Sequence, residues 1–165
     1  MITFELITPR RAMRFKDVRL RALQDTPTAF SSTLARESKL SDKDWKTRAG
    51  QWSDPKSVGY LAIEGESTCG IAAGMIDKDD ATQAHLLSMW VAPTYRRNGV
   101  GRALVEAILG WAGKQNLQTM QLLVTSNNEG AIEFYRRLGF TLTQRTEPYA
   151  NDPDLFNYEM IRTIF

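Results

Sequence analysis

The chain has 165 residues, 42% of them apolar, which suits one domain with a proper core and rules out a disordered polymer. A net charge of +2 is too balanced to mark a nucleic-acid or anionic-membrane surface, and no apolar run is as long as a membrane span. A single cysteine, Cys69, excludes an intrachain disulfide, and with only one histidine beside it there is no thiolate–imidazole metal cluster, so no metal is expected.

The N-terminus, MITFELITPRR, lacks the layout of a secretory signal, and with the lone cysteine it points to the cytoplasm. Ile2 to Ile7 read as a strand. Thr8 is placed to cap a helix opening at Pro9 and running to about Gln24, with Met13, Val18, Ala22 and Leu23 partly buried. Asp25 to Ser32 read as a loop. Ser41-x-x-Asp44 resembles a capping box, and Trp45, Ala49 and Trp52 follow on one helical face that Asp54-Pro55 ends. Tyr60 to Ile63 and Gly70 to Ile76 read as strands of a hairpin turned at Glu64-Gly65-Glu66, and Asp77 to Asp80 as a polar turn into a central strand.

That strand leads into the most informative stretch, LLSMWVAPTYRRNGVGRAL, from Leu86 to Leu104. Leu87, Met89 and Val91 alternate with Leu86, Ser88 and Trp90, and Pro93 stops the ladder. A helix opens near Gly99, with Val100, Leu104, Ala107, Ile108 and Trp111 at helical spacing. A helix start leaves N–H groups unpaired and carries positive dipole charge. Gly99 and Gly101 let a ligand approach the backbone, and Arg96, Arg97 and Arg102 add charge, so the expected guest is a phosphate or pyrophosphate. A solvated basic turn is the competing account. A P-loop is excluded because it needs a lysine that this loop lacks, and a dinucleotide fingerprint because Leu104 stands where a third glycine belongs.

Met120 to Val124 read as the next strand. Asn127 and Asn128 precede a helix marked by Ala131, Ile132, Phe134, Tyr135 and Leu138, and Gly139 ends it. Phe140 to Arg145 and Phe156 to Ile161 complete the strands. The β-α-β-α-β order of this half argues an α/β sheet with parallel middle strands.

Val91-Ala92-Pro93, then Arg96-x-x-Gly99-x-Gly101, and later Asn128, Ala131, Phe134-Tyr135 and Gly139-Phe140, resemble the motifs of the GNAT superfamily of N-acetyltransferases. The resemblance covers residues 57 to 145 well, the earlier part only in pattern. It implies one acetyltransferase domain over 1–165, an α/β fold with a mixed α+β sheet in the order β-α-α-β-β-β-α-β-α-β-β, and central strands splayed around acyl-CoA. It also implies that Trp90 and Val91 pair with the pantetheine arm, with the Val91 N–H aimed at the thioester oxygen. The pyrophosphate would lie on the loop of Arg96, Arg97, Asn98, Gly99, Val100, Gly101 and Arg102. Asn128 would bond the pantetheine, and Tyr135 would stand by the sulfur as an acid. Acetyl-CoA is then the cosubstrate, with direct transfer to a primary amine of a small molecule, amino acid or protein N-terminus.

An amine attacking a thioester gives an oxyanion, which a fixed N–H stabilises. The amine must also lose a proton, and the central strand has no glutamate to take it. Glu37 is a candidate base and His85 a second one, with a water chain through Ser88 as the default. Trp45, Trp52, Trp90 and Tyr149 are candidates for an aromatic acceptor wall. No nucleic-acid or membrane partner is expected, and a homodimer is left open. A non-catalytic acyl-CoA sensor and an unrelated nucleotide-binding domain are the alternatives.

Overall fold

The computed structural model describes residues 1–164. Seven strands form one sheet in the order β1-β2-β3-β4-β5-β7-β6. The strands are β1 (Ile2–Leu6), β2 (Ser57–Glu64), β3 (Ser67–Ile76), β4 (Gln83–Val91), β5 (Thr119–Thr125), β6 (Thr141–Pro148) and β7 (Phe156–Thr163). The helices are α1 (Ala12–Asp25), the one-turn α2 (Leu34–Glu37), α3 (Asp42–Gln51), α4 (Val100–Lys114) and α5 (Glu129–Arg137). This is the mixed sheet expected from the sequence, and the element order expected apart from the extra one-turn α2 between the first two predicted helices. None of these helices is long and apolar enough to cross a membrane.

The parallel pairing is narrower than the β-α-β-α-β order suggested. Only β4 and β5 run parallel, because the last two strands form a hairpin and β7, not β6, lies against β5. The start of the first helix also differs. Pro9–Arg11 is a separate 3-10 turn, and the Thr8 side chain caps nothing. Met13 is exposed, and Phe15 takes its place in the core. The Ser41 capping box forms with both hydrogen bonds in place.

Each face of the sheet carries its own core. On one, Val100, Leu104, Ile108 and Ala112 of α4 pack with Ala72, Leu86, Met120, Leu122 and Met160. On the other, Phe15, Val18 and Leu23 of α1 and Trp45 of α3 pack with Leu61, Ile71 and Trp90. The two-residue period of β4 breaks between these cores. The register with β3 shifts between Ile71 and Ala73, and Ser88 takes φ +55, a β-bulge. Leu86, Met89 and Val91 therefore belong to the α4 side and Trp90 to the α1 side, so Leu86 does not share the face of Ser88 and Trp90.

Candidate active site

β4 and β5 are joined only at Gln83–Thr119, Ala84–Met120 and His85–Gln121. Beyond that point they part, and a gap opens toward their C-terminal ends. At its β4 wall the Ala92 N–H donates to the Cys69 carbonyl at 2.8 Å. Antiparallel ladders alternate, so Trp90 also faces β3, while the N–H and C=O of Val91 turn into the gap. Of the two residues expected to present backbone there, Val91 does and Trp90 does not.

The mouth of the gap is the turn into α4. Gly99 is the N-cap residue, at φ +82 with no side-chain cap, and a Cβ built on it meets nothing within 4 Å. The first N–H groups of α4 therefore have neither an intrahelical partner nor a side-chain cap. Arg97 also adopts positive φ, at +66. A Cβ on Gly101 would lie 3.2 Å from both Met89 Cε and Phe134 Cζ, so glycine lets α4, β4 and α5 meet under the loop. Asn98 is exposed and Val100 buried in the core. Arg102 pairs with Glu106, and from there a groove of about 550 Å³ runs past Arg137 and Arg162.

Arg96 has a different place from the one expected. Its Nε donates to the Val91 carbonyl at 2.8 Å, and its Nη2 pairs with Asp25 at the end of α1. The same Asp25 oxygen accepts from Trp90 Nε1 at 3.0 Å. Burial pushes the Asp25 carboxyl up, but these donors outweigh it and hold it below the usual carboxylate range. Arg96 braces the strand end rather than offering a free cation. No local signal marks Asp25, which lies 71 residues before Arg96.

On the far wall, Asn128 caps α5, its Oδ1 accepting from the Ala131 N–H at 3.2 Å, which leaves its amide hydrogens for other partners. Tyr135 is 8% exposed and packs edge-on against Phe134 and Phe140. Among the described residues its hydroxyl has no hydrogen-bond partner. Burial raises its pKa well above the ordinary phenol value.

The expectation of Glu37 as a base meets a physical obstacle. Its side chain is 1% exposed, with Arg19 bonded to both oxygens at 3.0 Å and Arg48 to one at 3.2 Å. Burial pushes this carboxyl up, but the arginines outweigh it and hold it below its ordinary range, the reverse of what proton abstraction needs. Arg19 also reaches Ser88 Oγ at 3.5 Å, so the cluster braces the bulge. The aromatic wall is not assembled either. Trp45 is buried against Phe15, Trp52 ends α3, and the Tyr149 hydroxyl donates to the carbonyls of Pro27 and Phe30. His85 pairs with Asp77, at the closed end of the gap.

Comparison with known proteins bears on this arrangement. Residues 20–140 match the model of the acetyltransferase (GNAT) family. The chain is 35% identical over 81 residues to the [ribosomal protein bS18]-alanine N-acetyltransferase of Escherichia coli K12, covering 49% of this chain and 55% of that protein. It is 35% identical over 85 residues to an N-acetyltransferase of Methanocaldococcus jannaschii, covering 52% of this chain and 34% of that one. The chain thus spans only a third to about half of these relatives' length. In structure it resembles a GNAT-family acetyltransferase from Streptococcus pneumoniae, with TM-score 0.84, 20% identity and all of both chains covered. It also resembles the PaiA N-acetyltransferase of Thermoplasma acidophilum in complex with coenzyme A, with TM-score 0.78, 17% identity and 99% of both chains covered.

Proposed function

The chain belongs to the GNAT acetyltransferase family, and from that premise we propose that it is an acetyl-CoA-dependent N-acetyltransferase that moves an acetyl group directly to a primary amine. The observation that carries this reading is the gap between β4 and β5, with an uncapped, glycine-led helix start at its mouth. The unpaired N–H groups of α4 suit a pyrophosphate, and the added charge of Arg97 and Arg102 favours it. Val91 offers an N–H to an extended arm lying in the gap. Its carbonyl is already taken by Arg96, so pairing there runs one way. Asn128 has amide hydrogens to donate, and the groove beside Arg137 suits the nucleotide end of CoA.

In this reading the amine attacks the thioester carbon from the α1 side, and an inward-facing backbone N–H of β4 stabilises the oxyanion. Such a donor contributes about 10² to 10³ in rate. The C–S bond breaks, and Tyr135 gives the departing sulfur a proton. The acceptor is a small amine, an amino acid or a protein N-terminus; the alanine acetylated by the Escherichia coli relative makes a peptide α-amine the first to try. The same reading treats residues 1–165 as one acetyltransferase domain working in the cytoplasm.

A side-by-side thermal-shift titration with acetyl-CoA, CoA, ATP and NADH tests the donor, and thiol release in the presence of amines tests the transfer. Stabilisation by both CoA species alone, followed by amine-dependent CoA release, is the expected result. Binding without release under any amine would leave a sensor domain, and no binding would remove the assignment.

A further inference from the structure

The acetyl-transfer reading leaves the proton of the acceptor amine without a taker, since Glu37 is committed to arginines. We propose that His85 is the general base of this reaction and that Asp77 is its positioning residue.

The placement comes from the strands. His85–Gln121 is the last pair before β4 and β5 part, so His85 stands at the apex of the gap. Ala84 and Leu86 on either side enter the core beneath α4. Strand alternation therefore turns His85 to the opposite face, where Ser88 meets Arg19 of α1. Leu86 and Leu87 separate His85 from the bulge at Ser88, three steps or about 10 Å of backbone, so the imidazole acts on an amine above the bulge through a short chain of waters.

The chemistry comes from the partner. Asp77 Oδ1 accepts the backbone N–H groups of Asp79 at 2.8 Å and Asp80 at 2.9 Å, which fixes the carboxylate in the turn. Its Oδ2 faces His85 Nε2 at 2.5 Å. The hydrogen bond from His85, helped by those two amides, holds the Asp77 carboxyl below its usual range. An ionised carboxylate has no proton to give, so Nε2 carries the hydrogen and Nδ1 keeps a free lone pair. Among the described residues Nδ1 has no partner, and the side chain is 25% exposed. Its partners across the sheet are uncharged, Met75 on β3 and Gln121 on β5; Gln121 in turn donates to Glu159, the nearest carboxylate on that side of the ladder, at 3.3 Å. An imidazole backed by a carboxylate, with its second nitrogen open, is the arrangement that activates nucleophiles elsewhere.

The step balances. The ammonium acceptor gives one proton through water to Nδ1, and the resulting imidazolium is stabilised by Asp77. The neutral amine forms the C–N bond, and the C–S bond breaks with its electron pair on sulfur. The second amine proton passes to water with the collapse, Tyr135 protonates the sulfur and takes a proton back from water, and His85 returns its proton to solvent, so one proton is released in all.

His85 is the only histidine in the chain, so its imidazole can be followed alone by proton–nitrogen correlation NMR. The expected neutral form is the Nε2–H tautomer, titrating at the same midpoint as the acid limb of kcat/KM. His85→Gln should lower kcat by about 10²- to 10⁴-fold and abolish that limb. Asp77→Asn should remove the tautomer preference and cost about tenfold, a share of the base's own contribution. Both variants should keep the thermal shift with acetyl-CoA, which shows that they fold. A limb that survives His85→Gln, or a histidine midpoint apart from the limb, overturns the assignment and leaves a pair that staples the β3–β4 turn. Acetyl-CoA binding by the wild-type chain with no release under any amine would instead overturn the transfer reading, and the base with it.

Discussion

Tyr135 is protonated in the resting chain. Burial raises its pKa far above working pH, so its hydroxyl can give a hydrogen bond or a proton but cannot act as a base. Tyr135→Phe should lower kcat by about a hundredfold, the low end of what a positioned acid supplies, with the KM for acetyl-CoA unchanged. Thiol-release kinetics check this, and an unchanged kcat removes the acid role. Glu37 makes the opposite case. Its folded pKa is lowered, so the stability it contributes is present above the unfolded value of about 4.3 and is lost as pH falls through the folded one. Glu37→Gln removes the counter-ion of the half-buried Arg19 from a buried position and should cost about 3 kcal/mol. Acid titration of the melting point should show the variant less stable at neutral pH and flatter below about pH 4.

At the scale of elements, the loop before α4 depends on backbone geometry more than on side chains. Gly99 sits at φ +82 in open space, so Gly99→Ala meets no clash and costs only the strain of a left-handed alanine, about 1 to 2 kcal/mol. For a chain this long, that lowers the melting point by about 2 to 8 °C. Acetyl-CoA should bind more weakly as well, and calorimetry separates the two effects. This element was legible in the sequence because glycine, proline and helical spacing are local signals. So was the Ser41 capping box. The bulge at Ser88 was not, because serine carries no mark of positive φ and the register is set by β3. Nor was the Asp25–Arg96–Trp90 brace, whose members are far apart in the chain. Asp77 was closer to reach. It lies eight residues before His85, across a turn the sequence did predict, and the hairpin register, with Met75 opposite His85 and Asp77 opposite Gln83, sets the two diagonally across the ladder. The place of β7 between β5 and β6 follows from the final hairpin folding back, which no periodicity encodes.

Across the whole molecule, the sheet is two antiparallel blocks held by one short parallel seam. The loop after α1 straps the blocks from the α1 side, where Thr125 and Tyr149 donate to carbonyls of Thr28, Pro27 and Phe30. A ligand lying in the gap would contact both blocks. At one hundred times its dissociation constant acetyl-CoA should add about 2.7 kcal/mol, or about 5 to 10 °C in melting point. Hydrogen exchange should slow at residues 86–91 and 122–125 together. Protection confined to one strand would argue against a ligand that spans the gap.

The same seam marks where the polypeptide can be divided. The exposed bend at Asn116 joins the two blocks, and each carries its own strand pairing and helix. Fragments separated there should reassociate weakly by themselves and more tightly when acetyl-CoA fills the joint. Under the acetyl-transfer reading the chain would then work as a two-piece switch whose adhesive is the proposed donor, readable by any reporter fused to the cut ends.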